Sequence, residues 1–277
     1  MDNQNLIFLK LGGSLITDKF TPSTARLNLI AALADELAQI IQEFPEIQLV
    51  LGHGSGSFGH APAKKYGTRT KVSTAEEWRG FIEVWYQASA LNRIVMDLLH
   101  KAGVPALAFP ASSSAVVADG KVLRWELAPL QDSLSRDLVP VVFGDVAFDQ
   151  VRGGTILSTE DIFAHLALQL KPTRILLAGV EEGVWSDYPA NTDLMPVITP
   201  ETWRQKMSAV QGSAATDVTG GMSGKVGEMI PLVEAIPGLE VLIFSAEQPE
   251  KLRRVMVGEN LGTVLKSGNT DRDHPAK

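Results

Sequence analysis

Three lysines stand in or beside glycine-rich stretches of this sequence, and together they suggest a site for phosphate groups. Lys10 and Lys19 flank the stretch KLGGSLITDK, and Lys225 lies in the later stretch DVTGGMSGKVGEM. Glycine has no Cβ atom, so backbone N–H groups beside it can approach an anion closely, and lysine adds a positive charge. The pattern is not that of a P-loop, because Val226 follows Lys225 where Ser or Thr is required.

Each lysine also has a simpler interpretation. Lys10 lies in an apolar segment, where a buried lysine needs an anionic partner, although a lysine at a sheet edge can extend its charge into water. Lys19 taken alone would be an exposed surface lysine, and Lys225 a solvated charge at a helix start. It is their combination that indicates phosphoryl transfer, a reaction whose transition state carries dispersed negative charge.

A second glycine-rich stretch, GHGSGSFGH, contains four glycines and two histidines. A loop of this kind that leads into a helix is an anion site. His60 would donate a hydrogen bond to a phosphate, or else serve only the structure, and we expect His53 to be structural. Two histidines at this spacing without a nearby carboxylate make a poor metal site, so we predict no metal-ligating residue.

The stretch STEDI leaves two interpretations open. In the first, Ser158 or Thr159 caps a helix, and Glu160 and Asp161 favour the positive end of that helix. In the second, Asp161 points into the site and orients the lysines.

Strands and helices alternate along the chain, which predicts an α/β fold with a mostly parallel sheet covered on both faces. The predicted strands are Leu6–Leu11, Ile47–Leu51, VPALAF, VPVVFG, RILLAGV, EVLIFSA and GTVLK. The predicted helices are TARLNLIAALADELAQIIQEF, a segment from a capping box at Ser73 and Glu76 to about Leu99, STEDIFAHLALQL, PETWRQKMSAV and PEKLRRVMV. VVADGKVLRW and FDQVRGGTIL read as hairpins. Ligands bind beyond the carboxyl ends of parallel strands, where the glycine-rich stretches fall.

The composition excludes several classes of protein. The 277 residues carry a net charge of −7, which argues against sequence-independent binding of nucleic acid. There is no cysteine, hence no disulfide or thiolate nucleophile. No apolar run approaches the roughly 20 residues of a membrane span, and the first residues lack a basic signal segment. We therefore expect a soluble, cytoplasmic protein without a nucleic-acid or membrane partner.

The motifs KLGGSLITDK, GHGSGSFGH, GDV, STEDI and DVTGGMSGKV occur in the order seen in the amino acid kinase superfamily, which the sequence resembles from about Leu6 to Lys266. Within it the sequence is most similar to the isopentenyl phosphate kinases, because His60 matches the histidine with which they bind the substrate phosphate. The resemblance implies a three-layer αβα sandwich with a mainly parallel open sheet, usually a homodimer. It also implies a single domain, 1–277, with approximate lobes 1–172 for the acceptor and 173–266 for the nucleotide.

The resemblance implies ATP-dependent phosphorylation of isopentenyl phosphate, a small-molecule phosphate substrate, with Mg²⁺ accompanying ATP. The catalytic residues would be Lys10, Lys19, Asp161 and Lys225. The acceptor would be bound by Gly54, Ser55, His60 and Thr159. The nucleotide would be bound by Lys10, Gly12, Gly13, Ser14, Gly56, Gly179, Gly183, Gly221 and Lys225.

Two stretches depart from the family pattern. Ser55 stands where the family often has glycine, so its contact with phosphate would come from its side chain. The stretch from Ala178 to Val184, AGVEEGV, replaces the common TDVDGV, which leaves the nucleotide base preference open.

Two rival functions also stay open. One is a kinase for another small phosphate or phosphonate, such as a fosfomycin-type antibiotic kinase. The other is a non-catalytic nucleotide-binding protein, although such a protein has less need of Lys19. A wide apolar pocket beside His60 would favour isopentenyl phosphate. Apolar side chains of the following helix would either line that pocket or form core and dimer contacts: Trp78, Phe81, Ile82, Val84, Trp85 and Tyr86.

Overall fold

The computed structural model describes residues 5–206, 221–248 and 250–268, which form an α/β fold. The strands in this part of the chain are β1 (Leu6–Leu11), β2 (Gln48–His53), β3 (Ala106–Ala108), β4 (Ala115–Ala118), β5 (Lys121–Trp125), β6 (Val139–Phe143), β7 (Asp145–Asp149), β8 (Gly153–Leu157), β9 (Arg174–Gly179), β10 (Val197–Ile198), β11 (Glu240–Ser245) and β12 (Gly262–Leu265). The helices are α1 (Gly13–Ile16), α2 (Leu27–Glu43), α3 (Gly56–Tyr66), α4 (Ala75–Lys101), α5 (Ala128–Leu134), α6 (Thr159–Leu170), α7 (Pro200–Lys206), α8 (Gly221–Ala235) and α9 (Lys251–Met256).

Eight strands form the central sheet in the order β10-β12-β11-β9-β1-β2-β6-β3. Every pairing is parallel except that of β11 with β12. Alternate side chains of each strand enter opposite layers: Phe8 packs with Phe163 of α6, whereas Leu9 packs with the cluster that contains α2. The prediction of a three-layer fold around a mainly parallel sheet is confirmed.

A second, four-stranded sheet has the order β5-β4-β7-β8. Its antiparallel pairs β4–β5 and β7–β8 are the two predicted hairpins. The β7–β8 hairpin packs on α3 and α4 through a small apolar cluster. The members of that cluster are Ala63, Val72, Phe81, Val84, Val146 and Ile156, with Trp78 beside them.

The start of α4 differs from the predicted one by a single residue. The capping box is formed by Thr74 and Glu77, not by Ser73 and Glu76. Ser73 instead donates its own N–H and hydroxyl to the Glu77 carboxylate. A window of consecutive Ser, Thr, Glu and Glu fits the motif in either register, so the sequence alone could not separate the two.

The sheet continues across the predicted lobe boundary, because β9 pairs with β1. The division into an acceptor lobe and a nucleotide lobe stays a prediction. None of the helices in the described ranges combines the length and apolar character needed to cross a membrane.

Candidate active site

A cavity of about 750 Å³ opens at the carboxyl ends of β1, β2 and β9. This is the edge at which parallel sheets bind ligands. It brings together residues that are far apart in the sequence. The predicted site residues that line it are Lys10, Gly12, Gly13, Ser14, Lys19, Gly54, Ser55, Gly56, His60, Thr159, Gly179 and Lys225.

The turn between β1 and α1 and the turn between β2 and α3 contact each other through their backbones. A Cβ atom on Gly13 would lie 2.4 Å from the nitrogen of Gly56, and one on Gly54 would lie 2.7 Å from the nitrogen of Gly13. Gly56 also has a φ of +48°, which disfavours any other residue. The glycines therefore let the starts of α1 and α3 lie side by side.

Thr17 links these two helices with hydrogen bonds. Its hydroxyl donates to the carbonyl of Gly13 (2.7 Å) and accepts from the N–H of Ser57 (3.0 Å). The first N–H groups of a helix have no carbonyl of their own helix to bind. Two adjacent helix starts therefore present a set of N–H donors that suits phosphate oxygens.

Lys10 forms a buried ion pair with Glu160, and both residues line the cavity. Burial by itself raises the pKa of Glu160, but the positive charges of Lys10 and Lys225 outweigh it and hold that pKa below its usual value. The positive charges of both lysines therefore favour the ionised form of this carboxylate. The prediction that a buried Lys10 requires an anionic partner is met by this contact.

Asp161 does not take the place predicted for it. Its carboxylate accepts hydrogen bonds from the N–H and hydroxyl of Ser158, both at 2.7 Å, and forms an ion pair with Arg69 at 3.1 Å. Ser158 in turn accepts from the N–H of Asp161, which completes a capping box at the start of α6. The correction is that Asp161 caps the helix, while its neighbour Glu160 contacts the lysine.

Lys225 lies in the first turns of α8 and lines the cavity. Gly221, which begins α8, has a φ of +63° and is not among the described residues that line the cavity, so its predicted contact with the nucleotide stays a prediction. Asp217 to Gly220 of the predicted phosphate motif lie outside the described residues. Because α8 begins at Gly221, Lys225 lies about one helical turn from the start of that helix.

The two histidines of GHGSGSFGH have different surroundings. His60 lies in the second turn of α3 and lines the cavity. His53 is fully buried, hydrogen-bonded through Nε2 to Asn92 and stacked on Phe143. Burial lowers the pKa of His53, which favours its neutral form. His53 therefore has the structural surroundings expected for it.

An apolar wall adjoins His60. It is formed by Ala63 of α3, Val84 of α4 and Ile156 of β8. Among the other apolar residues of α4, Trp78 and Phe81 pack with Phe148, whereas the side chains of Ile82 and Tyr86 are 60% and 61% exposed. A tail beside His60 would thus meet Val84, and Ile82 and Tyr86 face away from it.

The β9 end of the cavity is formed by Gly179, Val180 and Glu181. Gly183 was predicted to contact the nucleotide, but a Cβ atom there would lie 2.5 Å from the hydroxyl of Thr263. Gly183 therefore permits packing against β12 instead of lining the cavity. Thr159 does line it, yet its hydroxyl already donates to the carbonyl of His53 at 2.6 Å.

The charge of the cavity is opposite to that of the protein. Four lysines and two glutamates contribute to its described lining, whereas the chain as a whole carries −7. The lysines are Lys10, Lys19, Lys64 and Lys225, and the glutamates are Glu160 and Glu181. Such a site attracts polyanions to a protein that otherwise repels them.

Comparison with known proteins explains why these parts occur together. The model of the amino acid kinase family matches residues 5–245. The chain belongs to the amino acid kinase family. This amino acid kinase is 36% identical over 263 residues to the isopentenyl phosphate kinase of Haloferax volcanii, covering 95% of this chain and 99% of that relative.

A second relative and a solved structure show the same similarity to isopentenyl phosphate kinases. The isopentenyl phosphate kinase of Methanothermobacter thermautotrophicus is 31% identical over 264 residues, which cover 92% of this amino acid kinase and 97% of the relative. A solved X-ray structure of isopentenyl phosphate kinase matches with a TM-score of 0.79 at 28% identity, covering 95% of this chain and 100% of that one.

Sequence reasoning about this amino acid kinase missed three contributors to the site. Glu160 was assigned only to the helix end, although its position two residues after a helix cap also places it at the cavity. Arg69 lies in a connection without any recognisable motif. Ile156 lies in the hairpin strand β8, and nothing in the local sequence shows that the hairpin packs on α3.

Proposed function

We propose that this protein is a kinase that transfers the γ-phosphoryl group of ATP to isopentenyl phosphate, yielding isopentenyl diphosphate and ADP. The observation that carries the proposal is that His60, Lys19 and an apolar wall line one and the same cavity. His60 would bind the phosphate of the acceptor, and Ala63, Val84 and Ile156 would contact its hydrocarbon tail. The named activity of the relatives supports the same substrate.

The reaction requires no general base. A phosphate monoester is mostly ionised near neutral pH, so one of its oxygens attacks the γ-phosphorus directly. The bond from that phosphorus to the β–γ bridging oxygen breaks, and ADP leaves with the electron pair. The protein supplies position and positive charge.

Each cation has a separate task in this proposal. Lys10 and the N–H groups of Gly13 and Ser14 would hold ATP phosphates together with Lys225, whereas the N–H of Gly12 donates to the carbonyl of Ala178 at 2.8 Å. Lys19, on an exposed segment at the cavity mouth, would stabilise the phosphoryl group in transfer. Glu160 would keep Lys10 aligned, a task that the sequence had suggested for Asp161.

The donor set of the cavity fits a nucleoside triphosphate. Lysine charges and helix-start N–H groups are ligands for phosphate oxygens, and the room between Gly13 and Gly56 is closed to side chains. Mg²⁺ is expected to accompany ATP and to neutralise charge on its phosphates, and we assign it no protein ligand.

A panel of acceptors tests the proposal. Purified protein is assayed with MgATP and isopentenyl phosphate, dimethylallyl phosphate, fosfomycin or glutamate, with ADP release as the readout. We expect the highest kcat/KM for isopentenyl phosphate. A preference for fosfomycin would instead support an antibiotic kinase. ATP binding without turnover of any acceptor would support the non-catalytic alternative.

We also propose a homodimer in the cytoplasm, as the resemblance implies. The exposed apolar side chains Ile82, Trp85 and Tyr86 of α4 provide surface that a second copy would cover. Light scattering on the wild type and on the Ile82→Glu/Tyr86→Glu variant tests this surface. A dimer that persists unchanged in the variant would place the interface elsewhere.

A further inference from the structure

Arg69 lies in the connection between α3 and α4, and its backbone is held against the β7–β8 hairpin. The carbonyl of Arg69 accepts hydrogen bonds from Thr155 (2.9 Å) and from Arg152 (3.3 Å). The N–H of Val72, three residues later, donates to the carbonyl of Arg152 at 2.8 Å. The connection is thus fixed to the hairpin whose strand β8 ends directly before α6.

From this fixed backbone the side chain of Arg69 reaches Asp161 in the first turn of α6. The ion pair is 3.1 Å long, and the Asp161 side chain is only 14% exposed. The same carboxylate atom accepts from Ser158. Arg69 therefore fixes the capping carboxylate from outside the helix.

Glu160 precedes Asp161 and forms the buried ion pair with Lys10. Two further contacts hold the first turn of α6. Ser158 caps the helix, and the hydroxyl of Thr159 donates a hydrogen bond to the carbonyl of His53. A shift of this turn would move Glu160 relative to the strand that carries Lys10. Polar contacts of Ser158, Thr159 and Asp161 thus fix the turn that carries the Glu160 carboxylate.

We propose that Arg69 is a positioning residue for phosphoryl transfer: by holding Asp161 it fixes the first turn of α6 and keeps Glu160 aligned with Lys10. This role rests on the proposed function, since Lys10 is taken to bind ATP phosphates. Arg69 itself need not touch either substrate. The residue belongs to the segment that joins the helix of His60 to the helix of Val84, so it links the surroundings of the acceptor to the lysine of the donor.

A comparison of single and double variants tests whether Arg69 acts through Glu160. Arg69→Met is made in the wild type and in a Glu160→Gln background, and kcat, the ATP dissociation constant and Tm are measured for each. In the wild type we expect kcat to fall roughly 10- to 100-fold, as for a misplaced catalytic group. The ATP dissociation constant should rise roughly three- to tenfold, as for a weakened charge-assisted contact. Both effects should be less than about twofold in the Glu160→Gln background, because the group being positioned is gone.

Matched variants separate positioning from stability. Arg93→Met removes another arginine–aspartate pair, the exposed pair with Asp97 on α4, and should leave kcat and ATP affinity unchanged. Arg69→Lys keeps the charge but loses the planar fork, so it should retain part of the activity. A purely structural role for Arg69 would lower Tm equally in both backgrounds without a loss of kcat that depends on Glu160. Should Glu160→Gln fail to fold, the Lys10→Met/Glu160→Leu background, which removes both charges of the buried pair, serves in its place.

The outcomes distinguish this inference from the proposed function. Equal losses of kcat and ATP affinity in both backgrounds, or no loss in the wild type, would overturn the positioning role. A wild-type protein that binds ATP but does not phosphorylate isopentenyl phosphate would contradict the proposed acceptor. In that case the ATP dissociation constants of the same four proteins would still decide the role of Arg69.

Discussion

Two glycines at opposite ends of the cavity differ in the room that they leave for a Cβ atom. At the α3 end, the glycines of two turns press backbone against backbone, and a Cβ atom on Gly13 would lie 2.4 Å from Gly56. At the β9 end, a Cβ atom on Gly179 would have its nearest neighbours at 3.9 Å, an ordinary contact. Glycine is thus required at Gly13, where two helix starts meet, whereas Gly179 at the proposed nucleotide site leaves room for a Cβ atom.

This difference agrees with where the sequence departs from the family pattern. Gly179, the residue with room for a Cβ atom, belongs to the stretch AGVEEGV, which replaces TDVDGV. The α3 end holds GSFGH, the motif that carries the likeness to the isopentenyl phosphate kinases. We infer that the relative position of acceptor and transferring phosphoryl group is fixed more strictly than the surroundings of the nucleotide.

The largest effect is expected from Lys19→Ala, which removes a cation from the proposed point of transfer. Loss of one preorganised donor for transition-state charge costs roughly 10²- to 10³-fold in kcat. The ATP dissociation constant should change little, because Lys19 would act mainly on the transition state. Steady-state kinetics with isothermal titration of ATP measures both. Unchanged turnover would remove Lys19 from the mechanism, and Lys65→Ala, on α3 over the ring of Tyr66, is the control.

The comparison of the two ends is tested by a matched pair of glycine substitutions. Gly13→Ala should lower kcat by roughly 10²-fold, or prevent folding, because the contact is with backbone that cannot rotate away. Gly179→Ala should leave kcat within about twofold, because surface changes without a steric conflict have small effects. Thermal unfolding and kinetics of the two variants measure this. Equal behaviour of the pair would show that the two ends do not differ.

The Lys10–Glu160 pair predicts a pH-dependent loss of stability. Glu160→Gln removes the carboxylate from this buried pair and should cost about 3–5 kcal/mol near neutral pH, as for a broken buried pair. The pKa of Glu160 in the folded state lies below its usual value of 4.5. Its contribution is therefore present above that value and is lost as the pH falls through the lower pKa of the folded state. Urea unfolding at several pH values should show the wild type and variant converging in acid.

The smallest effect is expected at the apolar wall. Val84→Ala removes two methyl groups beside the proposed tail, and the KM for isopentenyl phosphate should rise by about three- to tenfold with the KM for ATP unchanged. Ile82→Ala, on the exposed face of the same helix, is the control. An equal change in both variants would argue that Val84 acts through the packing of α4 and not through the tail.

Much of the fold follows from local sequence patterns, and less of the site does. Strand β1 has the predicted bounds Leu6–Leu11, since six successive buried residues admit few alternatives. Helix α1 was not predicted, because its four residues, Gly13 to Ile16, show no period. Helix α3 begins at Gly56, inside the stretch interpreted as a loop, and its start is stabilised by Thr17 from another part of the chain.

The assignments within STEDI show where sequence reasoning about the site ends. Glu160 and Asp161 have the same charge and are adjacent, so only their three-dimensional partners separate them. Glu160 meets Lys10 from β1, and Asp161 meets Arg69 from the α3–α4 connection. Both contacts join residues about a hundred or more positions apart, and no local pattern encodes them.

The central claim is that His60 binds the acceptor while the opposite end of the cavity binds ATP. Its most direct test is the pair of KM values in His60→Ala, with His100→Ala at the exposed end of α4 as the control. We predict a large rise in the KM for isopentenyl phosphate with the KM for ATP close to that of the wild type. A rise confined to ATP would contradict the account, because it would place His60 on the donor side of the transfer.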